Sequence, residues 1–304
     1  MSAVTRAATS AVLVLAILLA GDAVPGGADG DGSEPAAWSS GLNVLHEHGF
    51  TGAGRRIAVI DTSVNAQVVP VDRVWENRCG GPADTVDGAL ARHTSTVVSI
   101  IHAIAPAARI DVHPVGRASL TGQISCDRDR SAAVAEAFDD ARGSDVIVIT
   151  STVQRSLTLD AAVQQAISSG STVVAARPES SVVDRSQLFA LPGVIGVQAV
   201  DRAGGVPAGH AVDDPGIDVL AQGVDMPAFG ARWGRVTASG TSMAAPVVAG
   251  VLAATGLAAS ERHWLTGRRL ITPKTALHRL ALRAQLSGDT DTVGGTNEPL
   301  HPVP

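Results

Sequence analysis

The sequence predicts an α/β fold of three layers, a mostly parallel sheet flanked by helices. Short apolar runs at Arg56–Asp61, Val146–Thr150 and Thr172–Ala176 read as strands buried on both faces. Such continuous runs mark parallel sheets. Helical stretches at Ser131–Arg142 and Leu159–Ser169 stand between strands, and this alternation implies βαβ units. A chain of 304 residues can bury a sizeable core. With 45% hydrophobic but only 3% aromatic residues, that core is Ala, Val, Leu and Ile.

Taken in order, the chain opens on Arg6, the apolar run Ala11–Ala20, and Gly21 and Ala23 at cleavage-like spacing. Residues 1–23 therefore read as an export signal. The alternative is an uncleaved anchor, although the run is short for a membrane span and no later run reaches about 18 apolar residues. Residues 24–37, rich in Gly and Asp, read as a disordered leader. Trp38–His48 is expected to be a short helix before the turn Gly49–Gly54 and the strand Arg56–Asp61. Val68–Leu90 reads as a polar loop, and a helix is expected to open at or just after His93. Strands are expected at Arg109–Val115 and Val194–Val200, besides those named above. The run Met243–Ala254 is apolar all round, as a buried helix is. A last helix is expected over Thr275–Gln285, preceded by Arg268 and Arg269 on a solvated face. The folded domain is thus 38–286, with 287–304 a disordered tail.

Composition also excludes. Net charge is −6, and Lys274 is the only lysine, so nothing offers an electrostatic footprint for nucleic acid. Cys79 and Cys126 are the only cysteines. Behind an export signal a disulfide between them is favoured over two free thiols. Two cysteines without CxxC spacing do not make a zinc site, and no metal or cofactor is expected.

Residues that carry chemistry stand at element ends. The small-residue turn Ala238–Thr241 delivers Ser242 to the head of the apolar helix, where free N–H groups and the dipole favour negative charge. That suits a nucleophile whose attack creates an oxyanion. By composition alone, Ser242 reads as an N-cap on an ordinary core helix. Asp61 closes an apolar strand, at the edge where open α/β sheets place their active sites; alone it reads as a turn former. His93 alone reads as a helix-start histidine.

The stretch GTSMAAPVVAG, Gly240–Gly250, resembles almost letter for letter the nucleophile motif of the subtilisin-like (subtilase) serine proteases. IAVIDTSV, Ile57–Val64, resembles the family's aspartate motif, with Ser63 where Gly is usual. Arg92–Ile101 resembles its histidine motif, with Thr94 for the Gly, Ser95 for the Thr and Val98-Ser99 for Ala-Gly. Asp145–Thr150 resembles the strand leading into the substrate-binding segment, where the family's Ser-x-Gly is here Thr150-Ser151-Thr152. Leu191–Asp201 is a further landmark, so the likeness runs from about Gly52 to Leu257.

This resemblance implies a subtilisin-like fold and a triad of Asp61, His93 and Ser242, in the order acid, base, nucleophile. It implies a serine endopeptidase that cleaves peptide bonds through an acyl-enzyme, its polypeptide substrate held along Thr150, Ser151 and Thr152. With the export signal it implies a secreted or cell-envelope protein, with no stable membrane anchor once the signal is cleaved; a monomer is expected. The family often binds calcium, but no oxygen-rich ligand loop is recognisable. Its oxyanion hole joins the Ser242 backbone N–H to an Asn from an Ala-Gly-Asn turn. Here Thr172–Ala176 runs into Arg177-Pro178-Glu179, so Glu179 stands at the position of that Asn. An ionised carboxylate there repels a developing oxyanion, and Ser180 or Ser181 are the alternative donors. Departures at Ser63, Thr94, Ser99 and Glu179 keep a second reading open, a subtilase-fold pseudoprotease acting as a binding module.

Overall fold

The structure, a computed structural model, describes residues 37–80, 89–118, 124–210, 214–229, 235–257, 265 and 267–286. The expected export signal, the leader up to residue 36 and the expected tail lie outside the described residues. The strands are β1 (Arg56–Asp61), β2 (Arg73–Val74), β3 (Arg109–Pro114), β4 (Arg117–Ala118), β5 (Ile124–Ser125), β6 (Val146–Ile149), β7 (Thr172–Ala176), β8 (Ile195–Val200), β9 (Val219–Gln222), β10 (Met226–Phe229), β11 (Arg235–Ala238) and β12 (Arg269–Leu270). The α-helices are α1 (Leu42–Glu47), α2 (Ala89–Ile104), α3 (Arg130–Asp140), α4 (Leu157–Ser168), α5 (Thr241–Thr255) and α6 (Pro273–Leu286). All site residues lie in one compact unit, Gly32–Ala276. Of the second unit, the described residues are Leu277–Leu286, the later turns of α6.

Eight strands form one sheet in the order β12-β9-β8-β7-β6-β1-β3-β2, and each neighbouring pair is parallel. Central strands are buried on both faces, as their unbroken apolar runs require: Ile57 through Asp61, Val146 through Ile149, and all of β8. Successive side chains alternate between faces. Ala58, Ile60, Ile147, Ile149, Val173 and Ala175 join Val134 and Phe138 of α3 and Leu159 and Val163 of α4 in one core cluster. On the other face α5 lies across β6 to β9 and packs against α2. Gly250 permits that contact: a Cβ there would stand 3.0 Å from Ile104 Cβ.

Local signals set the ends. Asp129 caps α3 by accepting from the Ala132 N–H at 2.8 Å, and Ser156 caps α4 by accepting from Leu159 N–H at 3.2 Å. Left-handed Gly256 closes α5. The expected helix Trp38–His48 is instead a short 3-10 turn, Ala37–Ser39, then α1, because Gly41 between them is left-handed at φ 78°. The helix expected to open at His93 begins at Ala89, four residues earlier, because Ala89-Leu90-Ala91 are strong helix formers.

Cys79 and Cys126 form the expected disulfide, 47 residues apart in sequence. On chain entropy a loop of that size stabilises the fold by about 4 kcal/mol. No helix among the described residues is long and apolar enough to cross a membrane.

Candidate active site

The carboxyl edge of the sheet gathers the candidate residues. Asp61 is the last residue of β1 and is fully buried. Its Oδ1 accepts from the Thr62 N–H at 2.7 Å. Its Oδ2 accepts from the Thr150 hydroxyl and lies 3.0 Å from His93 Nδ1. Burial pushes this carboxyl up, but the His93 charge and the hydrogen bonds from His93, Thr150 and Thr62 outweigh it and hold it below its ordinary value. Asp61 is therefore a buried, fully partnered anion.

His93 sits in the second turn of α2 with its side chain one-third exposed. Its pKa is raised above the ordinary 6.5, first by the Asp61 charge, against burial, and further by the Asp61 hydrogen bond and the Glu179 charge. The substitutions around it have structural partners. The Thr94 hydroxyl is 3.0 Å from the Thr62 hydroxyl, and Ser95 Oγ accepts from Asn65 N–H at 3.1 Å. Both tie the start of α2 to the segment after β1, which aims His93 at Asp61. The Ser99 hydroxyl donates to Thr96 O within the helix, at 2.8 Å. Ser63, where a glycine was expected, has no left-handed φ, so the local backbone does not demand glycine.

Ser242 is the second residue of α5, behind the N-cap Gly240 at φ 151°. Pro246 supplies no N–H, so the Ser242 carbonyl lacks the usual intrahelical donor four residues on. The Ser242 hydroxyl donates to Thr150 O at 3.1 Å. Thr150 thus links Asp61 and Ser242, its hydroxyl on Asp61 and its carbonyl on Ser242. Its neighbours Ser151 and Thr152 line a narrow cavity beside it. Sequence motifs assigned Thr150 to the substrate strand and missed its hydroxyl. Replacing it with the near-isosteric Val leaves a buried carboxylate one donor short. Thr150→Val is expected to lower stability by about 1.5–3 kcal/mol, read from urea unfolding. Wild-type stability in that variant would mean the hydroxyl is dispensable.

Glu179 is also brought to this place. Its Oε1 accepts from the Thr241 N–H at 2.9 Å, at the head of α5 and one residue before Ser242. The carboxylate fills the space beside Gly240, where a Cβ would stand 2.3 Å from Oε1. The alternative donor Ser180 is engaged in its own turn, its Oγ accepting from Val182 N–H at 3.0 Å. Arg177 holds this loop in shape. Its Nη1 donates to Pro178 O at 2.6 Å and Ser180 O at 2.7 Å, and its Nη2 to Val182 O at 3.1 Å. Its Nε pairs with Asp214 at 2.9 Å, both side chains wholly buried. Arg177 follows an apolar strand, which signals a buried partner, but no sequence pattern points to Asp214.

No protein-family model matches the chain. Among curated proteins it is 28% identical over 218 residues to M-protease of Shouchella clausii, covering 68% of this chain and 55% of that one. It is 27% identical over 218 residues to Subtilisin Savinase of Lederbergia lenta, covering 68% and 78%. The chain thus spans little more than half the length of the first of these relatives. Among solved structures it resembles a point mutant of the protease domain of PatA, with TM-score 0.63, 20% identity, and 76% and 97% of the two chains covered. It also resembles a lanthipeptide protease, with TM-score 0.61, 19% identity, and 82% and 99% covered.

Proposed function

From a chain that has the fold of the subtilisin-like proteases and whose curated sequence relatives are subtilisins, we propose an exported serine endopeptidase with Asp61, His93 and Ser242 as its triad. The observation that carries this is the buried Asp61 carboxylate 3.0 Å from His93 Nδ1, with Ser242 at a helix head and tied to Asp61 through Thr150. An imidazole so held presents its other nitrogen, Nε2, as the base. The Ser242 hydroxyl turns from Thr150 O toward Nε2, gives up its proton and attacks the peptide carbonyl. The anionic Asp61 stabilises the imidazolium that forms. The imidazolium returns the proton to the leaving amine, and water then attacks the acyl-enzyme by the same route. The Ser242 N–H, at the helix head, faces the developing oxyanion. Export is supported by the N-terminal apolar run and by the disulfide.

A second reading is favoured by one observation, the Glu179 carboxylate on the Thr241 N–H. An anion there opposes an oxyanion, as in a pseudoprotease that binds peptides without turning them over. Labelling with a fluorophosphonate probe separates the two. Covalent labelling that Ser242→Ala removes supports the protease; an unlabelled native protein supports the binding module.

Because His93 must be neutral to take a proton, and its pKa is raised above 6.5, activity is expected to climb as pH rises through a value above about 6.5. The Glu179 charge is one cause of that rise, so Glu179→Gln is expected to move the midpoint of kcat/KM down in pH. An unmoved midpoint would show that Glu179 is uncoupled from the base.

A further inference from the structure

The cavity between the ends of β6 and β7 adjoins the nucleophile from two sides. Ser151 and Thr152 directly follow Thr150, whose carbonyl holds the Ser242 hydroxyl. Pro178 directly precedes Glu179, whose carboxylate lies on Thr241 N–H. Gln187, Leu188 and Phe189 line the rest of it, together with the strand ends. Its position suits the side chain of the residue whose carbonyl Ser242 attacks, since that residue's Cα is bonded directly to the attacked carbon.

Size and polarity both point to one class of side chain. Thr152 and Pro178 stand where the resembling motifs, Ser-x-Gly and Ala-Gly-Asn, carry glycine, so two added side chains narrow the space. The loop bearing Pro178 is pinned by Arg177, and Phe189 lies 6.0 Å beneath that guanidinium, so neither wall yields cheaply. No lining residue is charged. Yet among the described residues Ser151 Oγ and Gln187 Oε1 are buried with no hydrogen-bond partner, on residues 9% and 8% exposed. The Gln187 amide is oriented by its Nε2, which donates to Asp184 Oδ2 at 2.9 Å, while its Oε1 stays unpaired among the described residues. An amide oxygen only accepts, while a serine hydroxyl donates or accepts. Buried polar atoms left open in this way are satisfied by a ligand group that brings a donor.

We propose that this cavity is a specificity pocket selecting a small, uncharged side chain with a hydrogen-bond donor, serine first and alanine next, and rejecting aromatic, large aliphatic and charged ones. The chemistry of the proposal rests on the protease reading, but its binding does not. The test therefore has two arms.

In the first, peptide amides acetyl-Ala-Ala-Pro-X-NH2 are titrated calorimetrically into the Ser242→Ala protein, with X as Ser, Ala, Phe, Leu, Arg or Glu. Ser is expected to bind tightest, with Phe, Leu, Arg and Glu at least about tenfold weaker, because a site built around a hydroxyl loses its pairing with analogues that lack one. Ser151→Ala is expected to erase the advantage of Ser over Ala. The double variant Thr152→Gly with Pro178→Gly is expected to raise the affinity for Phe relative to Ser by about tenfold. Phe or Leu binding best, equal affinity throughout, or no binding of any peptide would overturn the proposal. In the second arm the native protein is given the matching p-nitroanilides. The same ranking in kcat/KM supports both readings. The binding ranking without hydrolysis overturns the protease reading and leaves the pocket standing.

Discussion

Replacing Ser242 by alanine is expected to abolish hydrolysis of any peptide or ester substrate. The members of a triad act as a unit, and in a subtilisin the loss of the serine costs on the order of a millionfold in turnover. At 1.36 kcal/mol per decade that is roughly 8 kcal/mol of transition-state stabilisation. The fold has little at stake in the same change, because the hydroxyl makes one neutral hydrogen bond, to Thr150 O, worth about 1 kcal/mol. Turnover should therefore vanish while urea unfolding stays close to wild type. Active-site titration with a p-nitrophenyl ester supplies the first measurement and far-UV circular dichroism the second. Hydrolysis at the original rate in Ser242→Ala would place the nucleophile elsewhere.

Glu179→Asn is expected to act in the opposite direction on rate. On the proposed mechanism the carboxylate that lies on Thr241 N–H stands beside the place where the tetrahedral intermediate becomes negative, and its charge raises that barrier. A carboxamide removes the charge and offers a donor, so turnover of a small ester should rise about tenfold or more, roughly 1.4 kcal/mol. The substitution also gives up a charged cap on the first N–H of α5, that of Thr241, which costs about 1 kcal/mol of stability. A variant that is faster and less stable at once is the distinguishing signature. Glu179→Gln keeps the arm length and should gain less. Unchanged rates in both, and in Ser180→Ala and Ser181→Ala, would move the oxyanion hole away from this loop.

How far the sequence was legible follows from the length of each pattern. β1 and β7 were read to the residue because burial on both faces forces an unbroken apolar run. The two-residue strands β2, β4, β5 and β12 carry no period at all, and β9 to β11 lie among polar turns, so none of these was foreseen. Asp61, His93 and Ser242 were legible as candidates because each falls in a stretch that resembles a family motif, Ile57–Val64, Arg92–Ile101 and Gly240–Gly250, and the structure brings Asp61 and His93 together. The hydroxyl of Thr150 and the pair Arg177–Asp214 were not legible, since both depend on long-range contacts across the sheet that local pattern does not encode.

The strand order has a consequence in time. A sheet whose eight strands all run parallel contains no hairpin from which it can start. Central β1 finds its partners only in β3 and β6, each far along the chain, and the loops between must close before either pairing stabilises anything. High contact order slows folding by orders of magnitude relative to helical proteins of similar stability. While β1, β6, β7 and β8 wait for one another, their apolar runs are exposed as unpaired edges prone to aggregation. The bridge between Cys79 and Cys126 shortens part of that search, because it encloses α2 and β3 in a single covalent loop. Oxidation early in folding thus brings β3 closer to β1 before the rest of the sheet exists.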